Sequence, residues 1–331
     1  MERDTHMKKR WKREKARREQ DPAREGVPKM GLKERLLLVA PDTVAGALLL
    51  CLPIVVIVLY SFWTTNLATF TVEPLFTLQN FQDIMQPIYL QALGRSVLIT
   101  LLTVTGCIVL GFPLAYFISR APGKLQMVLL LAVMIPFWTS FVVRTYAWLT
   151  LLSPSGTVTQ MLAFLGVVAP ETDLRYTQIA ITVGMIYTYL PMMVLPLFAT
   201  LEKLDSNLLA AAADLGKSSA KTFFSIVVPQ AKSGVAAGCL LVAIPALGEY
   251  TIPAILGGGK TLMIGNVIAS EFTTTGNYSR GAALAVVLLV IVLAVIAVVQ
   301  VAALRKRRAA RAALLSGTGE EKARDRGASD E

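Results

Sequence analysis

Glu249, in the stretch Gly248-Glu249-Tyr250, is the acidic residue expected deepest in the apolar part of this chain. An ionised group withdrawn from water is costly, so an intramembrane carboxylate is a candidate for function. Beside Tyr250, and with Trp138, Tyr146 and Trp148 available from another apolar stretch, such a group can hold an organic cation by charge and cation–π attraction. That chemistry suits a polyamine. A second arrangement stays open: Arg144 is expected at a comparable depth, and an ion pair with Glu249 would satisfy both groups inside a bundle.

Other chemistries lack their residues. The only histidine is His6, which leaves the apolar stretches without a histidine-based active site. Cys51, Cys107 and Cys239 fall in apolar stretches without ligand spacing and read as packing residues, with no disulfide framework and no metal site. Gly257-Gly258-Gly259-Lys260-Thr261 looks like part of a phosphate loop, but that motif needs glycine where Ala254 stands and should follow a β-strand. A tight turn is the expectation. An intramembrane protease needs a Ser/His pair, two aspartates or metal ligands on facing spans, and this chain does not supply them. No cofactor is expected on the chain itself.

The elements that hold Glu249 and Arg144 follow from composition and charge. Of 331 residues, 54% are hydrophobic and 16% charged, against roughly half and a quarter in soluble domains. Six apolar spans can be drawn, at about 36–63, 95–119, 126–151, 177–201, 233–256 and 281–304, each near the ~20 residues a bilayer requires. Arg120, Lys124, Lys203, Lys217, Lys221 and Lys232 fall on one side with the two basic tails, while Glu73, Asp83, Glu171, Asp173 and Glu271 fall on the other. By the positive-inside rule both termini and the 202–232 connection are cytoplasmic.

The net charge of +10 is assigned to lipid headgroups at the cytoplasmic surface and not to nucleic acid. Residues 1–32 form a basic tail, expected to be disordered and too long and charged for a signal peptide; residues 305–331 form a second charged tail. Prolines at 53, 113, 136, 191, 196, 245 and 253 fall within the spans, and predict kinked or broken helices whose freed backbone groups are satisfied by neighbours. The outer loop of residues 64–94 contains Phe76-Thr77-Leu78-Gln79-Asn80-Phe81 and is expected to hold one amphipathic helix near the surface, either meeting an extracytoplasmic partner or capping the bundle. No clear internal repeat supports a secondary transporter of inverted halves.

The 202–232 connection carries its own signals. Asp205 is an N-cap, Leu208 and Leu209 give an apolar face, and Gly216 supplies a left-handed stop. Ala210 to Ala213 between them give high helix propensity with almost no bulk, so another protein's groove can approach the backbone. Ser218 or Ser219 caps a second helix, ended by Pro229 and pinned to the bundle by Phe223 and Phe224.

This loop resembles the cytoplasmic signature of permease subunits of ATP-binding-cassette importers, Glu-Ala-Ala, three residues, Gly, then a spacer to Ile and Leu-Pro. The matching residues are Ala210-Ala211-Ala212, Gly216, Ile226 and Val228-Pro229. Where the family commonly has Glu this chain has Ala210, which removes one polar group from the ATPase surface and leaves the helix unaffected. Ile135-Pro136-Phe137-Trp138-Thr139 with Arg144 and Tyr146, Glu202-Lys203-Leu204-Asp205, Gly248-Glu249-Tyr250, Leu256-Gly257-Gly258 and Leu262-Met263-Ile264-Gly265-Asn266 resemble the spermidine/putrescine branch.

The resemblance implies an all-α, six-span, type I importer permease with a coupling helix between the fourth and fifth spans. Leu209, Ala210, Ala211, Ala212, Asp214, Leu215, Gly216 and Pro229 would form that coupling loop. It further implies a second homologous permease, a cytoplasmic ATPase dimer that uses ATP and Mg, and an extracytoplasmic solute-binding protein. Uptake of opines, other amines, thiosulfate-like anions or ferric iron is compatible with the same architecture, and an ion-coupled carrier is the alternative of another class.

Overall fold

The computed structural model describes residues 32–327, with side chains described for 43–301 except Ser206, and for Arg305. The expected disorder of the N-terminal tail, and His6 within it, lie outside the described residues. Residues up to Val56 form one unit and those from Ile57 a second.

The first unit contributes most of helix α1, Leu32–Ser61. Its window Thr43–Ser61 is strongly apolar, and Val44, Leu48, Leu49, Leu50 and Leu52 are all exposed. A helix that is apolar on every face belongs in lipid or against another chain.

In the second unit a short antiparallel hairpin, β1 (Thr64–Asn66) and β2 (Thr71–Glu73), is followed by α2 (Gln79–Asp83) and the long α3 (Pro87–Arg120). The outer loop thus holds one short helix, the five residues of α2, together with a hairpin that the sequence did not suggest. Pro87, at the first turn of α3, starts that helix several residues before the expected 95, because proline's missing N–H costs nothing there. Next come α4 (Gly123–Trp138), α5 (Phe141–Leu151), α6 (Thr157–Phe164) and α7 (Gln178–Leu201).

The connection after α7 holds α8 (Ser206–Asp214) and α9 (Ser219–Gln230), the latter containing a π-helical turn at Phe223–Val227. The chain then forms α10 (Lys232–Leu247), α11 (Thr251–Leu256), α12 (Ile264–Ser270) with a π-helical turn at Glu271–Thr275, and α13 (Tyr278–Gly327). The backbone of α13 stays helical as far as Gly327, well into the charged segment expected as a tail.

Four described helices are long and apolar enough to cross a membrane, and six spans result if each of two bent pairs counts as one. One bent pair is α4 and α5, which meet at 91°. The expected single span 126–151 is therefore broken. Pro136 lacks the N–H that would bond one turn back, and Thr139 seals the freed end, its hydroxyl donating to the Pro136 carbonyl at 2.7 Å. The other pair is α9 and α10, bent by 62°. The expected span 233–256 is also interrupted, at Gly248 to Tyr250, just after Pro245.

The core is built by α3, α7 and α10, with α11 packed on α7. Ile99, Cys107 and Ile118 from α3 meet Ile181, Met185, Met193 and Leu197 from α7, with Val242, Ala246, Ile252 and Leu256, all fully or almost fully buried. Cys107 packs as expected, whereas Cys51 is exposed. A second cluster, of Ile84, Tyr89, Ala92, Ile264, Ala283 and Leu284, joins α2, α3, α12 and α13.

Beside this cluster is a buried ion pair: Arg280 donates to Glu271 Oε2 from Nε (3.1 Å) and Nη2 (3.0 Å), and the Tyr89 hydroxyl donates to Oε1 at 2.9 Å. Glu271, read from the sequence as an outer-loop charge, is only 5% exposed. Removing one member of such a pair leaves the other charge uncompensated, so Arg280→Met should destabilise the protein by about 3–5 kcal/mol. The combined Glu271→Gln, Arg280→Met variant should recover part of that loss, as read from thermal unfolding in detergent.

Candidate functional site

Glu249 lies in the break between α10 and α11, and that break gives it its partners. Ending α10 at Leu247 frees the first N–H groups of α11, and Glu249 Oε1 accepts from Thr251 N at 2.8 Å and Ile252 N at 3.2 Å. Oε2 accepts a short hydrogen bond from the Tyr189 hydroxyl of α7. The carboxylate is half-buried and held on three sides.

The break itself is fixed by α12. A Cβ on Gly265 would stand 2.6 Å from the carbonyl oxygens of both Gly248 and Glu249, so only glycine allows this approach. Asn266 Nδ2 donates to the Tyr250 carbonyl at 2.9 Å, and Asn266 Oδ1 accepts from Met263 N at 3.3 Å. The two sequence stretches Gly248-Glu249-Tyr250 and Met263-Ile264-Gly265-Asn266 thus form one structural feature.

Arg144 is not bonded to Glu249, and the proposed ion pair between them is absent among the described residues. The guanidinium instead lies 5.7 Å from the Phe137 ring centroid and 5.8 Å from that of Phe141. It borders a recess of about 140 Å³ with Ala147, Trp148, Leu151 and Tyr187. Trp148 and Tyr187 meet edge to face at 5.5 Å.

Trp138, Tyr146 and Tyr250 are all exposed, and no hydrogen bond or ring contact joins the first two to Glu249 among the described residues. What brings their segments near is packing of α11 against α5. Tyr189, which contacts Glu249 directly, was not singled out by sequence; two tyrosines, Tyr187 and Tyr189, in an apolar, proline-containing span were the available signal.

The cytoplasmic-loop candidates fall on α8 and α9. Asp205 caps α8, accepting from Asn207 N at 2.9 Å. At the other end Gly216 has φ +74°, with Gly216 N donating to Ala213 O (2.9 Å) and Lys217 N to Ala212 O (3.1 Å). This is the paired bonding of a glycine-stopped helix. Leu209 packs towards the core and Ala212 is buried, while Leu208, Ala210, Ala211, Asp214 and Leu215 are exposed. Leu208, Ala211 and Leu215, at i, i+3 and i+7, form an apolar stripe with little bulk at its centre.

Ser218 caps α9 through Lys221 N at 3.4 Å. Pro229 lies one residue before the end of α9, and the chain bends directly afterwards, at Ala231. Of the two phenylalanines it is Phe223 that pins the loop, meeting Phe112 at 5.5 Å and Tyr116 at 5.6 Å edge to face. Phe224 is 70% exposed.

The family model described as "Binding-protein-dependent transport system inner membrane component" matches residues 108–310. The chain belongs to this family. The match takes in α7, the capped loop, the Glu249 break and most of α13.

Among curated relatives, the permease is 39% identical over 248 residues to the spermidine/putrescine transport system permease protein PotB of Escherichia coli (strain K12), covering 74% of this chain and 90% of that one. It is 35% identical over 237 residues to the protein of the same name from Haemophilus influenzae, covering 72% and 82%. A bacterial ABC transporter involved in import of the acidic polysaccharide alginate has a chain that superposes with a TM-score of 0.63 at 18% identity, covering 81% of the permease and 96% of that chain. At that identity the likeness establishes the fold. The permease is a multi-pass inner-membrane transport component, and these relatives are named as permease proteins of transport systems.

Proposed function

We propose that this chain is a permease subunit of an ATP-binding-cassette importer that carries a polyamine such as spermidine or putrescine into the cytoplasm. The observation that carries this reading is the 39% identity to a spermidine/putrescine permease over nearly all of that protein's length. More distant relatives include a sulfoquinovosyl glycerol permease at 26% identity, so architecture alone does not select the solute. Glu249 supports the cationic choice: it is a carboxylate within the apolar region, and a protonated amine can replace the Tyr189 hydroxyl as its partner.

In this reading the chain crosses the membrane six times, with each bent helix pair forming one span and both termini in the cytoplasm. Helix α8 is the coupling helix, and its stripe of Leu208, Ala211 and Leu215 docks in a groove of a partner ATPase. The ATPase dimer supplies ATP hydrolysis with Mg; this chain supplies the path and the lever. A solute-binding protein delivers substrate from outside, and a second permease completes the pathway. Alternating access follows if movement of α8 is transmitted through Phe223 to Phe112 and Tyr116 of α3, which packs on α7 and hence on Tyr189.

Uptake of labelled spermidine and putrescine by cells with and without the gene tests the substrate. Loss of uptake in the deletion and its return on complementation are expected. Unchanged uptake in a strain lacking redundant carriers would reject polyamines.

A further inference from the structure

One face of α9 is held by the bundle and the other is open. Thr222 is buried, and Phe223 and Ile226 pack on the core. Lys217, just before the helix, and Ala220, Lys221, Phe224 and Ser225 within it follow one another at i, i+3, i+4, i+7 and i+8, and line a groove of about 530 Å³ on the opposite face. All five are exposed. Neither lysine joins an ion pair among the described residues.

Ring contacts fix the level of this groove in the membrane. The Phe224 ring meets that of Phe223 at 5.2 Å, and Phe223 in turn meets Phe112 and Tyr116. Those two residues are in the last turns of α3, still within its apolar stretch, where Phe117 is exposed; Arg120 closes the helix with its guanidinium 5.5 Å over the Tyr116 ring. Phe224 is therefore at the edge of the hydrocarbon layer and not out in the cytoplasm. Because α9 is bent by 62° from α10, it runs obliquely along the membrane surface where α10 crosses it. Lys217 and Lys221, on the loop side of Phe224, reach the headgroup layer, with their methylene stems over apolar surface. The stripe on α8 differs in kind, since Leu208, Ala211 and Leu215 carry no charge.

We propose that the open face of α9 binds an anionic phospholipid of the cytoplasmic leaflet, with Lys217 and Lys221 on its phosphate and Phe224 against its acyl chains. The proposal rests on the reading above that the 202–232 connection is cytoplasmic and that α8, not α9, presents the apolar stripe to the ATPase.

The test uses the whole transporter, co-expressed, purified through a tag on this chain and reconstituted in nanodiscs of phosphatidylcholine with phosphatidylglycerol. A benzophenone amino acid at Ala220 reports what occupies the groove. Photolysis is expected to give phospholipid adducts in which phosphatidylglycerol exceeds its share of the bilayer. Lys217→Gln combined with Lys221→Gln should lower the phosphatidylglycerol adduct by about thirtyfold at low salt, as the loss of two lysines beside an anionic surface implies, without diminishing the phosphatidylcholine adduct. Label on the ATPase or the second permease in place of lipid, or adducts in plain proportion to bilayer composition, would overturn the proposal; the importer reading would stand as long as the ATPase co-purifies. Lipid adducts with the expected preference from a preparation that holds no ATPase would overturn the importer reading and keep the lipid site.

Discussion

Glu249→Gln should leave a folded, assembled permease that transports polyamine about ten- to a hundredfold more slowly. The geometry explains why this variant separates function from fold. Gln retains the oxygen that accepts from Thr251 N and Ile252 N, so the start of α11 stays capped. The Tyr189 hydroxyl can turn to accept from the new amide. Only the negative charge is lost, and a charge-assisted hydrogen bond contributes about 1.5–3 kcal/mol, which gives the stated range at about 1.4 kcal/mol per tenfold. Glu249→Ala should lose the cap as well, costing roughly another 1 kcal/mol of stability. Initial uptake rates, normalised to complex recovered by pull-down, distinguish the two roles. If Glu249→Gln transports normally, Glu249 is only a cap and its place on the path is wrong.

Ala211→Trp should abolish coupling to the ATPase without unfolding the membrane region. Ala211 is exposed at the centre of the stripe on α8, between Leu208 and Leu215. It bears on no core residue of this chain, so an indole there meets only what docks from outside. Overpacking a close interface costs about 1–3 kcal/mol or more, and ATPase co-purification should fall at least roughly tenfold. Gly216→Ala is the milder companion. A Cβ there meets nothing within 4 Å, so its cost is the left-handed backbone alone, about 1–2 kcal/mol. Normal ATPase recovery and uptake with Ala211→Trp would remove α8 from the coupling interface.

Legibility in the sequence followed the range of the interactions. The cap at Asp205 and the stop at Gly216 depend on residues a turn away, and both were readable as single letters. Prolines announced that helices would be interrupted, but not where: Pro136 and Pro245 precede true breaks, while Pro113, Pro191 and Pro196 remain inside continuous helices. The difference lies in what seals the freed ends, such as Thr139 after Pro136 and the Gly265–Asn266 corner against Gly248 to Tyr250. That corner joins stretches whose contact the sequence does not reveal.

The partners of Glu249 were hidden for the same reason. Two are backbone N–H groups that exist only because the helix is interrupted, and the third, Tyr189, is sixty positions away in sequence. Glu271 read as a loop charge because its segment is short and polar; its burial depends on Tyr89 and on Arg280, which had no visible partner. Phe223 and Phe224 looked equivalent as neighbours, yet a helix turns each residue by about 100°, and only Phe223 faces α3.

The most direct measurement is transport by the purified complex in proteoliposomes, with labelled spermidine and the solute-binding protein on the substrate side and ATP with Mg on the ATPase side. Accumulation that requires ATP, the binding protein and this chain together, and that unlabelled putrescine reduces, is the predicted result. Spermidine entry driven by an ion gradient without ATP, or no entry while another solute accumulates with ATP, would contradict the account.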